Sequence, residues 1–170
     1  LNWADYDDYK KELKAYREYL IRQIVKSSVE VRLETEATPE MIASLAPDDL
    51  ILGLGAEFIT PRIPGAEYAR QAVTLYPELD SAQGRFVIIG GGTIGTELAL
   101  ELAERGKAVT LIEMSDTLSA KGNKLYRIAL HQHLRRCSTL TCLLQSQVLE
   151  IKPDGVEVRT PQGIQQIPAD

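Results

Sequence analysis

Residues 90–95 (GGGTIG) have the composition and spacing of a phosphate-binding turn. Three consecutive glycines follow the apolar run FVII, and the fourth lies where a helix is expected to begin. Gly90 would allow the tight turn, Gly92 would let the backbone approach a pyrophosphate, and Gly95 would let the helix pack close to the sheet. The helix N-terminus would offer unpaired N–H groups and a positive dipole to the phosphates. The pattern predicts a dinucleotide site, and a purely structural strand–helix turn is the alternative.

A carboxylate at the end of the next apolar run supports the dinucleotide interpretation. Glu113 follows VTLI and would accept hydrogen bonds from the adenosine ribose hydroxyls. An incidental surface glutamate is the other interpretation. The sequence around Glu113, which continues with Met114 and Ser115, lacks an arginine for a 2′-phosphate, so NADH is favoured over NADPH. Lys121 would weaken this inference if it folded back. Methyltransferases that use S-adenosylmethionine share the glycine turn and the acidic residue, but the third glycine disfavours them.

Alternating strand and helix patterns place this turn in an α/β fold with a parallel sheet flanked by helices. We predict strands over FVIIG, residues 108–113 and residues 138–144, with helices over Thr93–Arg105 and Asn123–Arg136. The second helix is expected to turn Leu125, Ile128 and Ala129 inward. Three short strands separated by the turns PDG and PQG then predict an antiparallel β-meander. The expected class is a Rossmann-like FAD/NAD(P)-binding domain.

The N-terminal part predicts a second, smaller lobe. Tyr9, Leu13, Tyr16, Leu20 and Ile24 recur at helical spacing, and this helix is expected to end near residues 27–28. We then predict a strand over Val29–Glu34, a helix opened by Thr38 and Pro39, and a buried strand over Asp49–Gly55. Residues 56–83, broken by prolines, are expected to be an irregular connector.

Composition limits the classes of partner. The 170 residues carry a net charge of -5 with no basic cluster, so nucleic acid is not expected as a partner. No apolar run is long enough for a membrane span, and the polar N-terminus does not resemble a signal peptide. A cytoplasmic location is therefore the expectation. His131 and His133 point to opposite sides of a helix, so no metal site is predicted. No nucleophile–base pair is evident, so no catalytic side chain is predicted.

The combination of GGGTIGTELA with VTLIEM resembles the NAD-binding domain of flavoproteins that carry two dinucleotide-binding domains. Upstream, residues 16–42 and 48–65 are similar to the segment that precedes that domain in 2-enoate reductases and NADH:flavin oxidoreductases, the multidomain relatives of old yellow enzyme. In that family an FMN barrel with a 4Fe–4S cluster is followed by an FAD domain, into which the NAD domain is inserted. The resemblance implies that NADH reduces FAD and that the electrons finally reduce an activated C=C bond.

The resemblance also assigns roles to residues. Thr93, Ile94 and Glu97 would line the nicotinamide side of the site, although from the residues alone Glu97 would simply complement the helix dipole. The complete set of predicted cofactor-binding residues is Gly90, Gly91, Gly92, Thr93, Ile94, Gly95, Glu97, Glu113 and Met114.

Several departures from the family pattern predict a fragment. The glycine-rich turn of the FAD domain would precede Leu1, no cysteine cluster for iron–sulfur is present, and the last parallel strand would start near Asp170. We therefore expect residues 1–55 to be part of an FAD lobe, 56–83 a connector, and 84–170 an NAD-binding domain that lacks its last strand. FAD, FMN and 4Fe–4S would belong to the parent protein, whose FAD domain and FMN barrel would be the partners. The isolated chain would be inactive and could form a homodimer. The segment at residues 50–55 could fill the vacant strand position, either within one chain or between two chains.

Overall fold

The computed structural model describes residues 10–170, which cluster into two compact units. The larger unit contains Lys10, Lys11 and residues 60–170. The smaller unit comprises residues 12–59. No helix in the described range is long and apolar enough to cross a bilayer. Tyr9, the first residue of the predicted N-terminal helical stripe, lies outside the described residues.

The larger unit is built on a parallel sheet in the order β1-β2-β3. Its strands are β1 (Arg85–Ile89), β2 (Ala108–Ile112) and β3 (Leu140–Leu143). Helices α3 (Thr93–Glu104) and α4 (Lys124–Leu134) connect them in sequence. Parallel strands joined by helices are the arrangement that the alternating pattern predicted, so the α/β fold class is confirmed.

An antiparallel meander forms the second sheet of this unit. It contains β4 (Gln147–Lys152), β5 (Gly155–Thr160) and β6 (Gly163–Pro168), paired in sequence order. The two predicted turns connect these strands, and the predicted meander is therefore confirmed.

Alternate residues of β1 face two different hydrophobic layers. Phe86 and Ile88 contact the cluster formed with α3 and α4, whereas Val87 and Ile89 contact the cluster beneath the meander. This alternation follows from the two-residue period of a strand. The parallel sheet is thus covered on both faces, as parallel sheets require.

The segment predicted as an irregular connector contains two short 3₁₀ helices, Ala66–Tyr68 and Ala72–Glu78. Val73, Tyr76 and Leu79 are buried in the same cluster as α3. Much of this segment therefore packs onto the α/β unit.

The smaller unit contains most of α1 (Lys11–Lys26) and all of α2 (Pro39–Leu45). Helix α2 begins as predicted, because the Thr38 hydroxyl accepts the Met41 N–H at 3.3 Å and Pro39 occupies the first helical turn. The predicted strands at Val29–Glu34 and Asp49–Gly55 are wrong: both segments are irregular. A strand needs a hydrogen-bonded neighbour, and these segments have none among the described residues.

The structure corrects two further predictions, one on residues 50–55 and one on helix α4. Within one chain, residues 50–55 add no strand to the parallel sheet, which contains only β1, β2 and β3 in the described range. The same pairing between two chains stays a prediction. The inward face of α4 was also mispredicted. Leu125, Ile128 and Ala129 are exposed, because the helix turns a different stripe toward α3. That stripe consists of Tyr126, Leu130 and Leu134.

Candidate functional site

The glycine-rich turn joins β1 to α3 at the carboxyl edge of the parallel sheet. Gly90 has φ +101°, a conformation that favours glycine, and its N–H donates to the Ile112 carbonyl oxygen at 2.8 Å. A Cβ atom at Gly95 would overlap the Gly90 carbonyl oxygen, so glycine is what lets α3 approach the turn this closely. Open α/β sheets bind ligands at this edge.

Gly92 occupies the N-cap position of α3 and faces open space. A Cβ atom added there would meet no atom of residues 10–170 within 4 Å. No side chain in this range caps the helix. Because the first N–H groups of a helix have no acceptor within the helix, the amides of Thr93 and Ile94 can serve an anion. Thr93 is half-buried, and the Ile94 side chain is exposed.

The carboxylate of Glu113 holds the turn from the end of β2. One oxygen accepts the Gly91 N–H at 2.6 Å, and the other accepts the Ser115 N–H at 2.8 Å. Burial pushes the pKa of Glu113 upward, but the N–H groups of Ser115 and Gly91 outweigh burial and leave the pKa below its ordinary value. Glu113 is therefore an anion beside the turn, with lone pairs left for further donors.

The remaining groups of the Gly91 peptide are also bound. Its carbonyl oxygen accepts the Thr96 hydroxyl at 3.0 Å and the Ser119 N–H at 2.7 Å. Sequence reasoning identified neither Thr96 nor Ser119, because both act through contacts that no local pattern encodes. Together with Glu113 these bonds fix the orientation of the turn before any ligand binds.

Glu97 lies one helical turn beyond the start of α3, and it is buried. Its Oε1 atom accepts a hydrogen bond from Lys10 Nζ at 2.6 Å and from the Tyr126 hydroxyl at 2.7 Å. The Lys10 ammonium also lies 5.5 Å from the centre of the Tyr126 ring. The carboxylate thus does more than complement the helix dipole, since it joins α3 to α4 and to Lys10, the residue before α1.

The structure brings most of the predicted cofactor-binding residues together at one edge. The turn, Glu113 and Met114 are adjacent, and the Met114 side chain is largely exposed. Glu97 follows on α3 and is enclosed by its own contacts. The described geometry can hold a phosphate at the turn and hydroxyl groups at Glu113.

Comparisons with known proteins agree with this geometry. The family model described as pyridine nucleotide-disulphide oxidoreductase matches residues 7–170. The NADH oxidase of Thermoanaerobacter brockii is 33% identical over 164 residues, which cover 92% of this chain and 25% of that protein. The bilirubin reductase of Mediterraneibacter gnavus is 31% identical over 174 residues, which cover 100% of this chain and 27% of that protein. The chain thus spans about a quarter of the length of these relatives.

A solved structure shares the fold. The 2-naphthoyl-CoA reductase in complex with 2-naphthoyl-CoA superposes with a TM-score of 0.84 over 98% of this chain and 26% of that chain, at 24% identity. The fold is therefore that of FAD/NAD(P)-binding oxidoreductases. Since the family model covers nearly the whole sequence, the chain belongs to the pyridine nucleotide-disulphide oxidoreductase family.

Proposed function

We propose that this chain is the NADH-binding module of a flavin-dependent oxidoreductase. The observation that carries the proposal is the open space in front of Gly92, at a turn whose neighbouring peptide is anchored by the ionised Glu113. A pyrophosphate requires unpaired N–H groups without an intervening Cβ, and the adenosine ribose requires an acceptor next to them. The turn and Glu113 meet both requirements.

Different residues would contact different parts of NADH. The turn at residues 90–95 would hold the pyrophosphate through the N–H groups of Thr93 and Ile94, and Glu113 with Met114 would hold the adenosine end. Thr93, Ile94 and Glu97 would border the nicotinamide. When bound, NADH supplies a hydride and FAD accepts it, so the protein contributes orientation and electrostatics. No side chain of this chain is required to transfer a proton.

NADH is favoured over NADPH by the charge of Glu113. A 2′-phosphate placed beside this carboxylate would be repelled. The name NADH oxidase, carried by one relative, supports the same choice.

The activity of the parent protein is a further part of the proposal. The name bilirubin reductase, carried by another relative, supports a reductase. Reduction of an activated C=C bond rests on the resemblance to 2-enoate reductases, as do FMN and a 4Fe–4S cluster elsewhere in the parent. On the same basis, residues 1–55 would be part of an FAD lobe, 56–83 a connector, and 84–170 the NAD-binding domain. The FAD domain and the FMN barrel would be its partners in the cytoplasm.

Thermal unfolding with separate ligands tests the proposal. A ligand at one hundred times its Kd stabilises the native state by about 2.7 kcal/mol, which corresponds to about 5–10 °C in Tm for a protein of this size. We expect such a shift with NADH, a smaller one with NADPH, and none with S-adenosylmethionine. A shift with S-adenosylmethionine, or no shift with millimolar NADH, would overturn the proposal.

The second candidate is a non-catalytic domain whose nucleotide ligand controls assembly. It is favoured because the described residues contain only one strand–glycine turn–helix unit and offer no second such turn for FAD within that range. This candidate predicts that NADH changes the molar mass measured by light scattering. The oxidoreductase module predicts an NADH-induced Tm shift at constant mass.

A further inference from the structure

An open groove lies beside Glu113 at the carboxyl edge of the parallel sheet. Its walls include Met114, Gln145, Gln147, Arg159 and Pro161, and its volume is about 310 Å³. Pockets that enclose most of a small molecule occupy about 300–1,000 Å³, so this groove suits one ring system of a ligand rather than a whole dinucleotide.

Backbone hydrogen bonds join the groove to the end of β2. The Ser146 N–H donates to the Glu113 carbonyl oxygen at 2.9 Å, and the Gln145 N–H donates to the Ser115 carbonyl oxygen at 2.9 Å. Met114 lies between these two anchored residues and contributes to the groove wall. The groove is therefore preformed next to the carboxylate that we assign to the adenosine ribose, and preorganisation reduces the entropic cost of binding.

Arg159 reaches this groove from a distant part of the sequence. It is the cross-strand partner of Gln147 in the β4–β5 register, so both side chains project from the same face of the meander. The opposite face is buried through Val148 and Val158. Among the described residues, the exposed Arg159 guanidinium makes no hydrogen bond or ion pair, in contrast to the bound guanidinium groups of Arg85 and Arg105.

We propose that the guanidinium of Arg159, on the wall of this groove, stacks on the face of the nucleotide's adenine ring and so sets the affinity for its adenosine end. This inference rests on the proposed function. A planar guanidinium is attracted to a π-face and is only weakly hydrated. Met114 and Pro161 supply apolar surface, and the amide of Gln145 or Gln147 matches the donor and acceptor on the adenine edge. Arg159 is then a determinant of affinity for the adenosine end of both NADH and NADPH.

The alternative use of an arginine here is to bind the 2′-phosphate of NADPH. The two uses differ in what Arg159 must provide. A stacked guanidinium needs its plane and acts on every ligand that contains adenine. An arginine that binds the 2′-phosphate needs positive charge and N–H donors, which a lysine also offers, and it affects NADPH alone.

Binding of NADH, NADPH and ADP-ribose to wild type, Arg159→Ala and Arg159→Lys separates these uses. We expect Arg159→Ala to weaken all three ligands by a similar factor, about three- to thirty-fold. Arg159→Lys keeps the charge without the planar group, so it should recover less than half of the lost binding energy. Arg136→Ala is the matched control, because Arg136 is exposed and precedes β3, away from the carboxyl edge.

Three results would overturn the inference. They are a loss confined to NADPH, full recovery with Arg159→Lys, and an Arg159→Ala protein that binds like the Arg136→Ala control. A wild-type protein that binds neither NADH nor ADP-ribose would instead refute the proposed function, and with it the inference about Arg159.

Discussion

Replacing Glu113 by glutamine should destabilise the fold and weaken NADH binding together. The carboxylate accepts the Gly91 N–H with one oxygen and the Ser115 N–H with the other, at 2.6 and 2.8 Å. Glutamine has a single oxygen, so it keeps one bond and turns its NH₂ group toward the other donor. Hydrogen bonds to charged groups contribute about 1.5–3 kcal/mol each.

We therefore expect Glu113→Gln to lower the free energy of unfolding by about 2–3 kcal/mol at pH 7. For a protein of this size that corresponds to about 4–12 °C in Tm. NADH should bind about ten-fold more weakly or worse, because the acceptor for the ribose loses its charge. The preference for NADH over NADPH should narrow, since the 2′-phosphate is no longer repelled. Glu67→Gln is the control, as Glu67 is exposed and makes no side-chain bond among the described residues.

The pH dependence of this difference follows from the lowered pKa of Glu113. A carboxylate with a folded-state pKa below its ordinary value of 4.5 contributes stability that is complete above that value. The contribution is lost as the pH falls through the folded-state pKa. The stability gap between wild type and Glu113→Gln should therefore shrink in acid. Equal Tm values at pH 7, or a gap that is the same at pH 3 and pH 7, would refute the reasoning.

Three further predictions concern defined contacts. Gly95→Ala should lower stability by about 1–3 kcal/mol in urea unfolding, because its Cβ would overlap a carbonyl oxygen of the turn; an unchanged midpoint would contradict this. A double-mutant cycle of Glu97→Gln and Lys10→Met should give a coupling energy of about 1–3 kcal/mol, and additive effects would show that the 2.6 Å pair contributes nothing. The Asp170 carboxyl should titrate by NMR with a pKa of about 2, because its hydrogen bonds to the Arg85 side chain and backbone N–H favour the anion. Arg85→Ala should return that pKa toward 3.8. In wild type the ion pair between Asp170 and Arg85 should persist at neutral pH and be lost only as the pH approaches 2.

The α/β core could be predicted because its local signals agree with one another. Apolar runs bounded by glycine specify β1 and β2, and the glycine spacing places the turn between β1 and α3. Each of these signals lies within about ten residues of the feature it determines. The meander was predictable for the same reason, since its two turns contain glycine at the positions where strand pairing resumes.

Sequence periodicity gave wrong predictions where one pattern was compatible with more than one structure. Helix α4 carries apolar residues on two faces, and only packing against α3 selects Tyr126, Leu130 and Leu134. The alternating segment Val29–Glu34 has the period of a strand but no neighbouring strand in the described part of the chain. The groove beside Glu113 could not be predicted from the sequence. Arg159 reaches the groove wall beside Gln147 and Met114 only because β5 pairs with β4, and no local pattern encodes that register.

The central claim is that the turn at residues 90–95 binds the pyrophosphate of NADH, and Gly92→Ala tests it most directly. A Cβ at Gly92 would meet no atom of the described residues within 4 Å, and the φ of -65° is accessible to alanine, so stability should change by less than about 1 kcal/mol. The methyl group would instead occupy the space assigned to the phosphate. Measured by isothermal titration calorimetry, the affinity for NADH should fall at least about ten-fold. A Gly92→Ala protein that binds NADH as tightly as wild type would contradict the claim.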